Sequence, residues 1–216
     1  FLNQNGCDSI VHTNLVVAQS YNNTITYEVC GNDSLMISGN WYFAGDQYSE
    51  FLQSGMGCDS TITLNLTVNP FPTPTISASG PTTFCSGGSV TLTSSSATDN
   101  VWSNGATTQS IVVTAGGNYT VTVTGTGGCS VTSAATAVTV NALPSTPIVT
   151  SNGPTTFCAG GSVTLTSSSS TGNVWSNGAT TQSITLSTSG TYSVTVTNAN
   201  GCSSTSTATT VTVNPV

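Results

Sequence analysis

Apolar and polar residues alternate through the last third of the chain. Val163 and Leu165, then Ile184 and Leu186, then Tyr192, Val194 and Val196, then Val211 and Val213 are separated by Thr or Ser. A period of two places each apolar set on one face of an extended strand. The pattern predicts strands over 148–151, 162–167, 173–176, 182–186, 191–197 and 205–213, with one further edge strand whose place it leaves open, and no helix. About seven short strands separated by Gly, Asn and Ser turns point to an antiparallel β-sandwich.

The same pattern is written twice. Pro74 to Asn141 and Pro147 to Asn214 align without a gap at a spacing of 73 residues, with 47 of 68 positions identical. Cys85 matches Cys158, Trp102 matches Trp175, Tyr119 matches Tyr192 and Cys129 matches Cys202. A fixed period of this length predicts a tandem array of small domains. Asn69-Pro70-Phe71-Pro72-Thr73-Pro74 and Asn141-Ala142-Leu143-Pro144-Ser145-Thr146-Pro147 read as the joints between them. Proline stiffens such joints into spacers.

A shorter repeat precedes this pair. Gly6-Cys7-Asp8-Ser9-Ile10 returns 51 residues later as Gly57-Cys58-Asp59-Ser60-Thr61. Thr24 to Val29 alternates, 35–37 and 41–43 are short apolar or aromatic runs, and Ile62, Leu64, Leu66 and Val68 share one face of a last strand. The expected divisions are 1–17, the tail of an upstream repeat; 18–70, a small β repeat; and 71–143 and 144–216, two sandwich repeats. On this framing each repeat encloses its own bridge: Cys30 with Cys58, Cys85 with Cys129, and Cys158 with Cys202. The partner of Cys7 then lies upstream of residue 1, the alternative being a free or intermolecular thiol.

Composition narrows the function. The 216 residues include no Lys, no Arg, one His and seven acidic residues, a net charge of −7. Nucleic acid and anionic membranes are bound mainly through Lys and Arg, so neither is an expected partner. No apolar run approaches the roughly 18 residues of a membrane span. Six of the seven acids lie in the first 70 residues, leaving Asp99 alone beyond them. Seven cysteines in small repeats suit an oxidising, extracellular compartment.

Trp175 on a middle strand, followed by Ser189-Gly190-Thr191-Tyr192-Ser193-Val194, resembles the immunoglobulin-like pattern of core tryptophan and tyrosine corner. It departs from antibody domains at the cysteines, since Val194 stands where their second cysteine would. With Gly-Pro-Thr-Thr-Phe-Cys, Trp-Ser-Asn-Gly-Ala-Thr-Thr-Gln-Ser-Ile and a closing Gly-Cys, the chain resembles the repeats of large surface proteins that gliding bacteria export by type IX secretion. The Gly-Cys-Asp-Ser repeats are similar to a second module of those proteins. The resemblance implies a bridge from the first loop of each sandwich to the turn between its last two strands. It also implies a glycoprotein: Ser9, Ser34 and Ser60 follow Asp in contexts similar to the O-glycosylation acceptor of those bacteria. Turn chemistry alone accounts equally for the Asp-Ser pairs.

Residues for catalysis are scarce. The only histidine, His12, aligns with Thr63 on the outward face of a strand, and a chain without Lys or Arg forms no Schiff base and no arginine phosphate clamp. The cysteines stand singly, without zinc-finger spacing. Asp46, Glu50 and Asp59 carry no calcium-loop motif. No enzyme activity, metal or cofactor is therefore expected. Trp41, Tyr42, Phe43, Tyr48 and Phe51 are either a small core or a sugar-stacking platform, the core being favoured. Two functions are carried forward: a stalk or filament segment of an extracellular adhesin, with neighbouring repeats and copies of itself as partners, or a carbohydrate-binding module that recognises surface polysaccharide.

Overall fold

A computed structural model describes residues 22–31, 35–37, 40–42, 47–53 and 59–216. The chain is all-β; the one helical turn among the described residues is a 3-10 turn, Thr126–Gly128. It divides into two compact units. One holds Phe1–Thr73 with Val123–Val131, the other Pro74–Thr122 with Thr132–Val216.

In the first unit, β5 (Asp59–Asn69) lies at the centre of a three-stranded sheet. β1 (Asn22–Cys30) runs parallel to it and β4 (Gln47–Gln53) antiparallel. β2 (Leu35–Ile37) and β3 (Asn40–Tyr42) form a separate antiparallel pair. The alternation of β5 carries through to packing: Leu64 and Leu66 are buried, and Ile25 and Val29 of β1 lie against them. β4 and β1's parallel alignment were not among the expected features.

The second unit contains the long repeat. Its earlier copy comprises β6 (Ile76–Ala78), β7 (Thr83–Cys85), β8 (Val90–Ser94), β9 (Asn100–Trp102), β10 (Ser110–Val113), β11 (Gly117–Tyr119), β12 (Val121–Thr124), β13 (Ser130–Thr132) and β14 (Thr136–Asn141). The tip of the β12–β13 hairpin belongs to the first unit. The later copy repeats this order as β15 (Val149–Ser151), β16 (Thr156–Cys158), β17 (Val163–Ser167), β18 (Asn173–Trp175), β19 (Ser183–Leu186), β20 (Gly190–Tyr192), β21 (Val194–Thr197), β22 (Ser203–Thr205) and β23 (Thr209–Asn214).

In the later copy one sheet has the order β15-β17-β19, and the facing strands pair as β18-β21-β22 and β16-β23-β20. All pairings are antiparallel except β16–β23, which is parallel. Val163, Leu165, Ile184 and Leu186 of one sheet meet Trp175, Tyr192, Val194 and Val211 of the other in one buried cluster. Two sheets sharing one apolar layer define a sandwich, and the strand order is immunoglobulin-like. The two long predicted strands are each interrupted, at Ser193 and at 206–208. The buried Ser206 explains the second break. Its hydroxyl accepts the Val194 N–H at 3.1 Å and donates to the Thr207 carbonyl at 2.9 Å, standing in for ladder bonds.

Both expected signatures are present. Trp102 and Trp175 are buried, and their indole N–H groups donate to the carbonyls of Thr108 and Thr181 at 2.8 and 2.9 Å. The Tyr119 hydroxyl donates to the Ala115 carbonyl at 3.1 Å, four residues upstream, and Tyr192 repeats this with Thr188 at 3.4 Å.

Candidate functional site: the cysteine junctions

Each segment brings its first cysteine to the same place. The strand ending in that cysteine lies parallel to the segment's last strand, in the register Cys30↔Asn69, Cys85↔Asn141 and Cys158↔Asn214. The next residue then donates its backbone N–H to that asparagine's carbonyl, from Gly31, Ser86 and Ala159, at 2.8 Å in all three.

This placement overturns the expected pairing. Cys30 is bonded to Cys129 and Cys85 to Cys202, each with Cα atoms 5.6 Å apart, and Cys158 is free. The reason is length. Cys85 lies beside Asn141, the far end of the last strand of its repeat, whereas Cys129 precedes the start of that strand. β13 and β14 both lie between Cys129 and Asn141, and β14 alone is about 17 Å long at about 3.3 Å per residue, whereas a disulfide needs Cα atoms within about 7 Å. Cys158 and Cys202 are kept apart in the same way. Cys30 lies beside Asn69, at the far end of β5, and its partner is Cys129. Cys7 and Cys58 themselves lie outside the described residues.

The turns that carry the second cysteines are built to fit. Before Cys129, Gly127 and Gly128 adopt positive φ of 66° and 79°. A Cβ on Gly127 would run into the Asn69 side-chain amide and the Glu28 carboxylate. That amide donates to Glu28 Oε2 at 3.0 Å, and Cys129 Sγ lies 3.8 Å from the Asn69 carbonyl oxygen. Before Cys202, Asn198 closes the turn with Oδ1, which accepts the N–H groups of Asn200 and Cys202 at 3.0 Å each. Its Nδ2 donates to the Ala142 carbonyl at 2.9 Å, and the Ser204 hydroxyl to the Pro144 carbonyl at 2.8 Å. Cys202 Sγ lies 3.9 Å from the Asn141 carbonyl oxygen. Asn69, Asn198 and Ser204 were not picked out from sequence. An Asn at the end of each repeat, at 69, 141 and 214, was the available signal.

Other sequence candidates do not converge here. Ser9, Ser34 and His12 lie outside the described residues, as do the side chains of Trp41, Tyr42, Tyr48 and Phe51 and the whole of Phe43. Ser60 falls on β5. Among the described residues no three His, Cys, Asp or Glu side chains come together, and no helix is long and apolar enough to cross a membrane.

The fold and its bridges define an immunoglobulin-like, disulfide-bonded all-β chain. No protein-family model and no curated protein matches it. Among solved structures it is similar to murine CEACAM1b, at 15% identity and a TM-score of 0.33 over 65% of this chain and 99% of that one. It is also similar to the three N-terminal domains of the bacteriophage RB49 highly immunogenic outer capsid protein, at 22% identity and a TM-score of 0.33, covering 65% of this chain and 59% of that one. The human OSCAR ligand-binding domain matches at 16% identity and a TM-score of 0.27, over 65% and 99%.

Proposed function

We propose that the chain is a structural segment of an extracellular surface protein that carries tension, with successive modules, 18–70, 71–143 and 144–216, bonded covalently to one another. The observation that supports this is the overlap of the two bridges: Cys85 lies inside the loop closed by Cys30 and Cys129, and Cys129 inside the loop closed by Cys85 and Cys202. Every path along the chain from Cys30 to Cys202 is thereby short-circuited. The shortest covalent route runs from Cys30 across to Cys129, back along the backbone to Cys85, and across to Cys202. It contains 44 residues of backbone, against 172 in the reduced chain. At about 3.4 Å per residue the unfolded segment extends to roughly 150 Å oxidised and roughly 580 Å reduced. A tether that stays short when its modules unfold suits a stalk under tension.

The same reading assigns no catalytic role and makes neighbouring modules the principal partners. It places the chain in a surface adhesin or filament of the type IX-secreted kind, to which the motifs bear resemblance. Disulfides of this number suit an oxidising, extracellular compartment. Single-molecule stretching between handles at the two ends tests the reading. The oxidised chain should release far less length than the chain in dithiothreitol; equal release in both states would overturn it.

A further inference from the structure

We propose that the Cys158–Asn214 end of the later sandwich is a receptor for the Gly-Cys turn of a further sandwich of this kind, sealed by a disulfide to Cys158. The inference rests on the structural reading above and extends it to a cysteine which that reading leaves unused.

Three junctions of one design support it. Cys30, Cys85 and Cys158 share a strand position, a parallel register with a terminal asparagine and the 2.8 Å bond that follows. At the first two, a buried cysteine from a Gly-Cys turn sits with its sulfur beside the asparagine carbonyl and bonds the strand cysteine. There Asn69 is 9% exposed and Asn141 and Cys85 are half-buried. At the third, both Cys158 and Asn214 are exposed, and Cys158 carries a free thiol. Asn214 is followed by Pro215 as Asn69 is by Pro70, so the chain leaves both junctions along a proline-restricted path. A partner is recognised by chemistry that the Cys202 turn already displays: an asparagine that closes the turn and donates to the joint, a serine that donates beside it, and a cysteine at its end.

Bond formation needs an oxidant, for which a small-molecule disulfide suffices. The Cys158 thiolate attacks glutathione disulfide, forming a mixed disulfide and releasing one glutathione. The incoming cysteine thiolate then attacks Cys158 Sγ and releases the second. Two protein thiols are oxidised, one glutathione disulfide is reduced, and the two thiol protons pass to the two departing glutathione thiolates.

The test is the full chain through Asn214 followed by a second copy of residues 142–216, oxidised with glutathione disulfide and mapped by mass spectrometry of non-reduced peptides. Cys158 should be joined to the Cys202 of the added copy, and the added copy's own Cys158 should react with iodoacetamide. In a Cys158→Ser version, the added copy's Cys202 should become alkylatable while the Cys30–Cys129 and Cys85–Cys202 bridges persist. If those two bridges form but Cys158 remains alkylatable, or joins another Cys158, the receptor is overturned and the stalk reading stands. If the two bridges themselves are missing, both fall.

Discussion

At the residue scale, the packing turns on a few side chains with two duties. Trp175 fills the space between the sheets and also satisfies the Thr181 carbonyl. Trp175→Ala should cost about 3–5 kcal/mol through the cavity it leaves, and Trp175→Phe about 0.5–1.5 kcal/mol through the lost hydrogen bond, both read by urea unfolding. Asp99 and Gly172 occupy the same position in the two copies, at φ of 58° and 72°. Asp tolerates this left-handed backbone better than most residues, through its short polar side chain. A Cβ at Gly172 would meet the Thr197 carbonyl. Gly172→Ala should therefore lower stability by roughly 1–3 kcal/mol, and no loss on thermal melting would contradict the placement of this turn. The tryptophans and tyrosine corners were legible in the sequence because their pattern depends on local spacing. Asn198 was not, because its importance lies in a bond to Ala142, 56 residues away.

At the scale of elements, the sheets are held without ion pairs between Lys or Arg and acids, since the chain has no Lys or Arg. Their outward faces are tied by hydroxyls in pairs across neighbouring strands. Thr195 meets Thr205 at 2.9 Å, Thr197 meets Ser203 at 2.8 Å, and Thr166 meets Ser183 at 2.9 Å. Cross-strand pairs contribute about 0.2–1 kcal/mol each. Between 0.01 and 0.15 M sodium chloride the screening length falls from about 30 to about 8 Å, yet the melting transition of the later sandwich should stay constant, because residues 144–216 carry no charged side chain. A marked salt dependence would show that charges contribute after all. The alternation that fixed inward and outward faces was plain in the sequence. The parallel alignment of β7 with β14 and of β16 with β23 was hidden, because nothing in an apolar-polar pattern distinguishes a parallel from an antiparallel neighbour.

At the scale of the whole molecule, that hidden alignment decided the connectivity. Two cysteines per repeat, 44 residues apart in both copies, are equally compatible in sequence with bridges within a repeat or between repeats. The parallel strand carries the first cysteine to the far end of the segment, where a turn from the next one meets it at Cys30 and at Cys85. The most direct test is a mass map of the oxidised chain cut by chymotrypsin and pepsin without reduction. Cross-linked peptides should join Cys30 to Cys129 and Cys85 to Cys202, with Cys158 alkylated. A peptide joining Cys85 to Cys129, or Cys158 to Cys202, would contradict the account.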